Sequence, residues 1–275
     1  MKGDCFMLWN AKNGSVPIGS TEMSYVSFGH GEKNLIVLPG LSDGLMTVRG
    51  KALLLAAPYR QFFDRYTVYM FSRKDSMPEG YSIRDMAEDQ AKALQYLGIS
   101  ETSVLGVSEG GMVAQYLAIL HPELMDKLIL AVTAPCPNEL SEERVKKWIS
   151  FAEAGDHKAL MIDTAENSYS PATLKKYRQT YPFIGAVGKP KSYDRFLINA
   201  RAILGFGASD ELGGIHCPTL IIAGENDKIV GVQASYALHN RILGSELYVY
   251  PGLGHAAYEE AKDFYLRIFS FLERP

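Results

Sequence analysis

The chain has 275 residues, of which 47% are hydrophobic and 21% charged, and its formal net charge is −3 at pH 7. This length and composition are typical of a soluble globular protein, with room for one α/β domain and an insertion. Lys and Arg are scattered and the charge balance is slightly acidic, which excludes a basic surface for nucleic acid or acidic lipid. No segment is long and apolar enough to predict a membrane span.

The cysteines and the first residues predict where the protein is found. Cys5, Cys136 and Cys217 are far apart and have no metal-ligand spacing, so we interpret them as reduced thiols. The first ten residues contain no apolar run followed by a small-residue cleavage site, which predicts no secretory signal. Together these features predict a cytoplasmic protein. HExxH, paired CxxC, P-loop and full GxGxxG patterns are absent, so neither a metal nor another cofactor is expected.

The first half of the chain predicts a hairpin followed by alternating strands and helices. Alternating segments around 5–9 and 22–28 flank Asn13-Gly14, which favours an antiparallel hairpin with its turn there. Short continuous apolar runs then predict buried strands, and periodic stretches predict the helices between them. The expected strands begin at residues 33, 66 and 102; the expected helices cover 51–63, 83–97 with a Ser82 N-cap and Asp85 in the capping-box position, and 112–120.

The second half returns to this alternation after a long interruption. A buried strand is expected at 127–132, but from 138 to 213 only helical patterns occur, around 145–152, from the Ser170 N-cap, and at 192–204. The chain then predicts strands at 218–224 and 246–250, with helices at 232–242 and 257–272. We therefore predict an α/β fold, a mostly parallel central sheet with helices on both faces. Its core would comprise 1–137 and 214–275, with an all-helical cap at 138–213.

The pattern Gly106-Val-Ser108-Glu-Gly110 lies between a predicted strand and a predicted helix. This is the G-x-S-x-G pattern of a nucleophile elbow, a strained turn that exposes a serine hydroxyl above the end of a sheet. A Cβ at Gly106 or Gly110 would collide with the opposite segment where strand and helix cross. The alternative is a glycine-rich strand-to-helix turn with an incidental serine.

A serine nucleophile needs a base to accept its proton and an anion to orient that base. Asp227 and His255 follow the predicted strands that end at residues 224 and 250, and open α/β sheets place functional groups at such strand ends. Glu225 and Asp210 are alternative acids nearby. The remaining histidines are interpreted as structural: His30, His121, His157, His216 and His239.

From Pro39-Gly40 to the final histidine loop, the chain resembles the α/β-hydrolase-fold serine hydrolases with a helical cap. In that family the nucleophile, the acid and the base follow the chain order Ser…Asp…His, which is the order of Ser108, Asp227 and His255 here. The resemblance implies that Ser108 is the nucleophile, His255 the general base and then acid, and Asp227 the orienting carboxylate. It also implies an oxyanion hole formed by the backbone N–H groups of Leu41 and Glu109.

The chain departs from the family pattern at three places. Many members carry His-Gly where this chain has Pro39-Gly40, and many have a glycine-rich D-x-x-G-x-G-x-S-like loop where this chain has residues 71–80. Glu109 is acidic where an apolar or amide side chain is more usual. We interpret its carboxylate as one favoured at a helix N-terminus.

The resemblance predicts a carboxylesterase-like serine hydrolase that cleaves a small ester, thioester or amide with an apolar group through an acyl-enzyme. Alternatives are a C–C bond hydrolase or an acyltransferase on the same triad, or a non-hydrolytic member that binds a small molecule. Most cap aromatics should form the cap's own core, and a few could line an apolar pocket above Ser108. These aromatics are Trp148, Phe151, Tyr169, Tyr177, Tyr181, Phe183, Tyr193 and Phe196.

Overall fold

The computed structural model describes residues 8–275, in which eight strands form one sheet in the order β1-β2-β4-β3-β5-β6-β7-β8. The strands are β1 (Lys12–Ile18), β2 (Thr21–Gly29), β3 (Lys33–Leu38), β4 (Tyr66–Phe71), β5 (Thr102–Val107), β6 (Met125–Ala131), β7 (Thr219–Gly224) and β8 (Glu246–Tyr250). β2 is antiparallel to both neighbours, and all other neighbouring pairs are parallel. The predicted mostly parallel sheet is confirmed.

Helices connect the strands. They are α1 (Ala52–Ala56), α2 (Ile83–Tyr96), α3 (Glu109–Leu120), α4 (Glu139–Glu153), α5 (His157–Ser168), α6 (Pro171–Tyr177), α7 (Tyr181–Ile184), α8 (Asp194–Leu204), α9 (Val232–Arg241), α10 (Ala257–Glu260) and α11 (Phe264–Leu272). The part of the chain between β6 and β7 contains helices α4–α8 and no strand, and we call it the helical segment. None of the helices in residues 8–275 combines the length and apolarity needed to cross a membrane.

Side-chain alternation along the central strands builds a core on each face of the sheet. In β3, Ile36 and Leu38 belong to one buried cluster, which α2, α3 and α9 cover. Leu35 and Val37 belong to the other cluster, which α1 and α11 cover. Because both faces are covered, the strand is apolar throughout its buried part, as expected for a parallel sheet.

Local capping explains why α2 starts and stops where the sequence predicts. The Ser82 hydroxyl accepts a hydrogen bond from the N–H of Asp85, and the Asp85 carboxylate accepts one from the N–H of Ser82. Gly98 follows the helix with a φ of 70°, a left-handed conformation that glycine adopts without a Cβ clash. The predicted capping box and glycine stop are confirmed.

The predicted position of the first hairpin is wrong. β1 and β2 pair with Ile18 opposite Thr21, so the turn is Gly19-Ser20 and Asn13-Gly14 lies inside β1. Residues 5–7 of the predicted first strand lie outside the described residues, and Leu8–Asn10 form a 3-10 turn. Glycine is needed at position 14 for packing rather than for a turn, since a Cβ there would lie 2.4 Å from the ring of Tyr25.

Two helix predictions also need correction, and helix α5 was missed. The expected helix at 51–63 is α1 followed by 3-10 turns over Ala57–Phe62, because Pro58 has no N–H for an α-helical hydrogen bond. The expected helix at 257–272 is divided into α10 and α11, because Ala261 is extended with a ψ of 117°. Helix α5 was not predicted, because its apolar residues are consecutive at 159–162 rather than spaced along one face.

Candidate active site

Ser108 occupies a strained turn between β5 and α3. Its φ is 54° and its ψ is −119°, a combination of backbone angles that residues other than glycine rarely adopt. The backbone on both sides is fixed, because the Ser108 N–H donates to the Ala131 carbonyl at 2.9 Å and its carbonyl accepts from the Thr133 hydroxyl at 2.7 Å. The strand and helix therefore hold the serine side chain at the carboxyl end of β5.

Two glycines allow the close packing that this turn requires. A Cβ at Gly106 would lie 2.5 Å from the Gly110 carbonyl oxygen, as expected for crossing segments. A Cβ at Gly110 would lie 2.0 Å from the carbonyl oxygen of Leu38, at the end of β3 rather than in β5. Gly110 therefore positions the turn against the neighbouring strand.

Replacing Gly110 by alanine is expected to destabilise the fold strongly. The added methyl group would meet rigid backbone, and overpacking of this kind typically destabilises a protein by about 1–3 kcal/mol or more. Urea unfolding, or loss of folded protein on expression, would measure the effect. Gly213→Ala is the matched control, since a Cβ there has nothing within 4 Å. Equal stability of the two variants would contradict the packing argument.

The structure brings Ser108, His255 and Asp227 together, although they are far apart in the sequence. His255 Nε2 lies 3.0 Å from Ser108 Oγ, and His255 Nδ1 lies 2.8 Å from Asp227 Oδ2. His255 and Asp227 are buried, and each follows a parallel strand, β8 and β7 respectively. This arrangement allows a proton to pass from the serine hydroxyl to an imidazole that a carboxylate orients.

The Asp227 carboxylate is itself held in place. Its Oδ1 accepts hydrogen bonds from the N–H groups of Ile229 at 2.8 Å and Val230 at 3.0 Å. Burial raises the pKa of Asp227, but His255 and these two N–H groups together outweigh burial and lower the pKa below its usual value. Asp227 is therefore an anion with a fixed orientation at neutral pH.

The loops carrying Asp227 and His255 touch through two glycines. A Cβ at Gly224 would lie 2.1 Å from the carbonyl oxygen of Gly254, so only glycine permits this approach. The alternative acid Glu225 accepts from the Gly252 N–H at 2.8 Å and helps to join the two loops. It is Asp227, rather than Glu225, whose carboxylate bonds to His255.

The loop after β3 lies directly over Ser108. A Cβ at Gly40 would be 3.2 Å from Ser108 Cβ and 3.7 Å from its Oγ. The next N–H along the chain is that of Leu41, and the N–H after Ser108 is that of Glu109. Neither of these N–H groups donates to an acceptor within residues 8–275. Both are therefore available as donors beside the serine.

A cavity of about 140 Å³ lies above Ser108 and His255. Of the eight aromatics named from the sequence, Trp148 and Phe196 line it. Gly40 and Leu41, which the sequence placed in the oxyanion loop, line it too. The sequence did not indicate the remaining lining residues, several of which belong to α5. The lining residues besides Ser108 and His255 are Gly40, Leu41, Ser42, Leu45, Trp148, Leu160, Met161, Thr164, Ser168, Phe196, Ile229 and Tyr258.

Behind the Gly40-Leu41 loop lies a buried charged side chain that the sequence did not single out. Arg73 Nη2 donates to the Pro39 carbonyl at 2.8 Å and to Glu109 Oε2 at 3.2 Å. Burial raises the pKa of Glu109, and the charge of Arg73 opposes that effect. The interpretation of Glu109 as an ordinary carboxylate at a helix N-terminus is thus incomplete, because its side chain is fully buried and paired.

Within residues 8–275, no group of three or more His, Cys, Asp and Glu side chains could hold a metal ion. The described cysteines, Cys136 and Cys217, are unpaired, and Cys5 lies outside the described residues.

The fold and this constellation define an α/β hydrolase. The family model for the alpha/beta hydrolase fold matches residues 69–262, and the chain belongs to that family. A protein provisionally named carbamate hydrolase RutD, from Pseudomonas syringae pv. syringae (strain B728a), is 29% identical over 195 residues, which cover 66% of this chain and 71% of that protein.

More distant relatives extend the comparison. The 2-hydroxy-6-oxo-6-(2'-aminophenyl)hexa-2,4-dienoic acid hydrolase of Metapseudomonas resinovorans is 26% identical over 188 residues, which cover 68% of this chain and 64% of that protein. The crystal structure of the enol-lactonase from Burkholderia xenovorans LB400 superimposes with a TM-score of 0.82 at 20% identity, covering 95% of this chain and 100% of that one. At that identity the structural likeness concerns the fold.

Proposed function

We propose that this protein is a serine hydrolase in which Ser108 is the nucleophile, His255 the general base and acid, and Asp227 the residue that orients His255. The observation that carries the proposal is the continuous hydrogen-bonded chain from Ser108 Oγ through both nitrogens of His255 to Asp227. The strained backbone of Ser108 supports it, because strain of this kind clusters at functional sites.

The geometry provides for two half-reactions. In the first, Ser108 Oγ attacks the substrate carbonyl carbon and its proton passes to His255 Nε2, which then protonates the leaving group as its bond to the carbonyl carbon breaks. In the second, His255 takes a proton from water, the resulting hydroxide attacks the acyl-Ser108 ester, and the serine leaves with the proton. Asp227 stabilises the imidazolium in each half-reaction without becoming protonated itself.

The negative oxygen of each tetrahedral intermediate would be bound by the N–H groups of Leu41 and Glu109. Gly40 permits this, because its lack of a side chain brings the loop within van der Waals distance of Ser108. Pro39 in place of histidine does not remove the donor, since the donor is a backbone group. The loss of one such donor typically lowers turnover by about 10²–10³-fold.

The cavity supports a small substrate with an apolar acyl group. Its volume of about 140 Å³ is well below the 300–1,000 Å³ typical of sites for drug-sized ligands. Leu45, Trp148, Leu160, Met161 and Phe196 supply most of the apolar lining. We propose a small ester, thioester or amide as substrate, with carboxylesterase chemistry favoured, and we propose that the helical segment acts as a cap because its side chains cover Ser108.

The relatives favour a second candidate on the same triad. One is named for carbamate hydrolysis and another for hydrolysis of a dienoic acid, so cleavage of a carbamate C–N bond or of a C–C bond is the alternative reaction. Product analysis by mass spectrometry with an ester, a carbamate and a vinylogous diketone as substrates separates the three reactions, because each releases a different leaving group.

Treatment with a fluorophosphonate probe tests the proposal directly. We expect the intact mass of the wild type to rise by one phosphonyl group, and the adduct to be absent in Ser108→Ala, because the histidine bonded to Ser108 is itself oriented by the Asp227 carboxylate. The other described serine beside an imidazole is Ser245, 3.0 Å from His239 Nδ1, and His239 bonds to no carboxylate within residues 8–275. Ser42→Ala is the matched control, since Ser42 lines the same cavity, and it should be labelled like the wild type. Folded wild-type protein that forms no adduct would count against an activated serine and favour a non-hydrolytic binding protein.

A further inference from the structure

The guanidinium of Arg73 connects the three places at which this chain departs from the family pattern. Arg73 belongs to the stretch that replaces the glycine-rich loop, and its Nη2 bonds to both of the other two departures, the Pro39 carbonyl and the Glu109 carboxylate. The side chains of Arg73 and Glu109 are 1% and 0% exposed. This pairing lies behind the loop that covers Ser108, and Arg73 does not line the cavity.

The two segments that Arg73 joins are the ones that supply the oxyanion donors of the proposed serine hydrolase. Pro39 lies two residues before Leu41, whose N–H is one donor, and Glu109 carries the other donor on its own backbone. We propose that Arg73 is a positioning residue that fixes the distance between these two donors. The proposal rests on the proposed function, since only an acyl-transfer reaction needs such a hole.

Physical chemistry explains why a buried arginine suits this role. Its planar guanidinium presents donors in fixed directions, and hydrogen bonds from a charged donor are stronger than neutral ones. A buried ion pair adds little net stability compared with apolar side chains of the same size. Arg73 Nε and Nη1 also have no acceptor within residues 8–275, which makes the arrangement a costly one. A role in positioning the oxyanion donors therefore explains the buried Arg73–Glu109 pair better than a contribution to stability does.

A second buried carboxylate holds Arg73 itself. Asp43 Oδ2 accepts from the Arg73 backbone N–H at 2.8 Å and from Arg195 Nη2 at 2.8 Å. Arg195 belongs to α8, and its Nη1 donates to the Arg73 carbonyl at 3.2 Å. Asp43 lies in the same loop as Leu41, so the loop, Arg73 and the helical segment form one connected unit.

Two variants test the role of Arg73. Arg73→Lys keeps the charge but loses the planar fork, and Arg73→Met combined with Glu109→Leu removes both charges, so that no buried charge is left unpaired. We expect kcat to fall about 10-fold in the first and about 10²-fold in the second, with KM changed less than about 3-fold, because the hole acts in the transition state. The inhibition constant of a trifluoromethyl ketone should rise by the same factor by which kcat/KM falls.

Lys74→Met is the matched control. Lys74 is the next residue, and its ion pair with Asp89 is also largely buried, but its side chain does not bond to either oxyanion segment. We expect Lys74→Met to lose stability while keeping wild-type kcat. Arg73 variants that fold and keep kcat within about 2-fold, or that lose activity only through KM, would overturn the proposal. Absence of fluorophosphonate labelling in the wild type would instead reject the hydrolase itself.

Discussion

Replacing Ser108 by alanine is expected to lower ester hydrolysis at least about 10⁴-fold, because the oxygen that attacks the substrate is removed and no acyl-enzyme can form. The methyl side chain of alanine fits the space that the serine occupied, so folding should be retained. Steady-state turnover of a short apolar ester measures the loss, and a thermal melt verifies the fold. Substrate affinity should remain, since the other residues that line the cavity are unchanged.

Two results would contradict this expectation. Turnover at the wild-type rate in Ser108→Ala would exclude the serine as nucleophile. Equal loss of turnover in Ser42→Ala, whose hydroxyl lines the same cavity, would show that the loss reflects a general disturbance of the cavity and not the chemistry of Ser108.

Asp227→Asn is expected to lower kcat about 10⁴-fold while leaving the fold intact. The amide oxygen of asparagine can still accept the N–H groups of Ile229 and Val230, so the side chain keeps its position. Its NH₂ group then faces His255 Nδ1 and favours the tautomer with the hydrogen on Nε2. In that tautomer Nε2 cannot accept the proton of Ser108, and the nucleophile is no longer activated.

Glu225→Gln is the matched control for this prediction. Glu225 lies two residues away, and its carboxylate accepts a backbone N–H from the His255 loop without touching His255. Its kcat should stay within about 2-fold of the wild type. A larger loss in Glu225→Gln than in Asp227→Asn would transfer the orienting role to Glu225, the other acid that the sequence offers in this loop.

The candidate site could be predicted from the sequence where short patterns are tied to topology. The G-x-S-x-G pattern selects Ser108, and the rule that parallel strands end at one edge of the sheet selects the loops with Asp227 and His255. The structure brings these three side chains together, and their catalytic roles stay a prediction. The alternation of strands and helices was enough to predict the mostly parallel sheet, because its strands are buried on both faces and therefore continuously apolar.

The parts that the sequence did not indicate depend on long-range packing. Asn13-Gly14 resembles a hairpin turn, but the glycine is required by the ring of Tyr25 on the neighbouring strand. Arg73 and Glu109 are 36 residues apart, and nothing local to either predicts that both are buried or that they pair. Helix α5 has no apolar face that periodicity could detect, so the cavity residues it carries were not predicted either.

The attachment of α8 to the loop after β3 has a consequence for how this protein could acquire new substrates. Phe196 lines the cavity from α8, next to Arg195, so we expect a change there to disturb the proposed oxyanion donors together with the fit of the substrate. Leu160, Met161 and Thr164 line the same cavity from α5, and their side chains make no hydrogen bond to that loop. We therefore expect that evolution or engineering can exchange specificity at these three positions of α5 while the catalytic rate is preserved, whereas changes in α8 alter specificity and rate together.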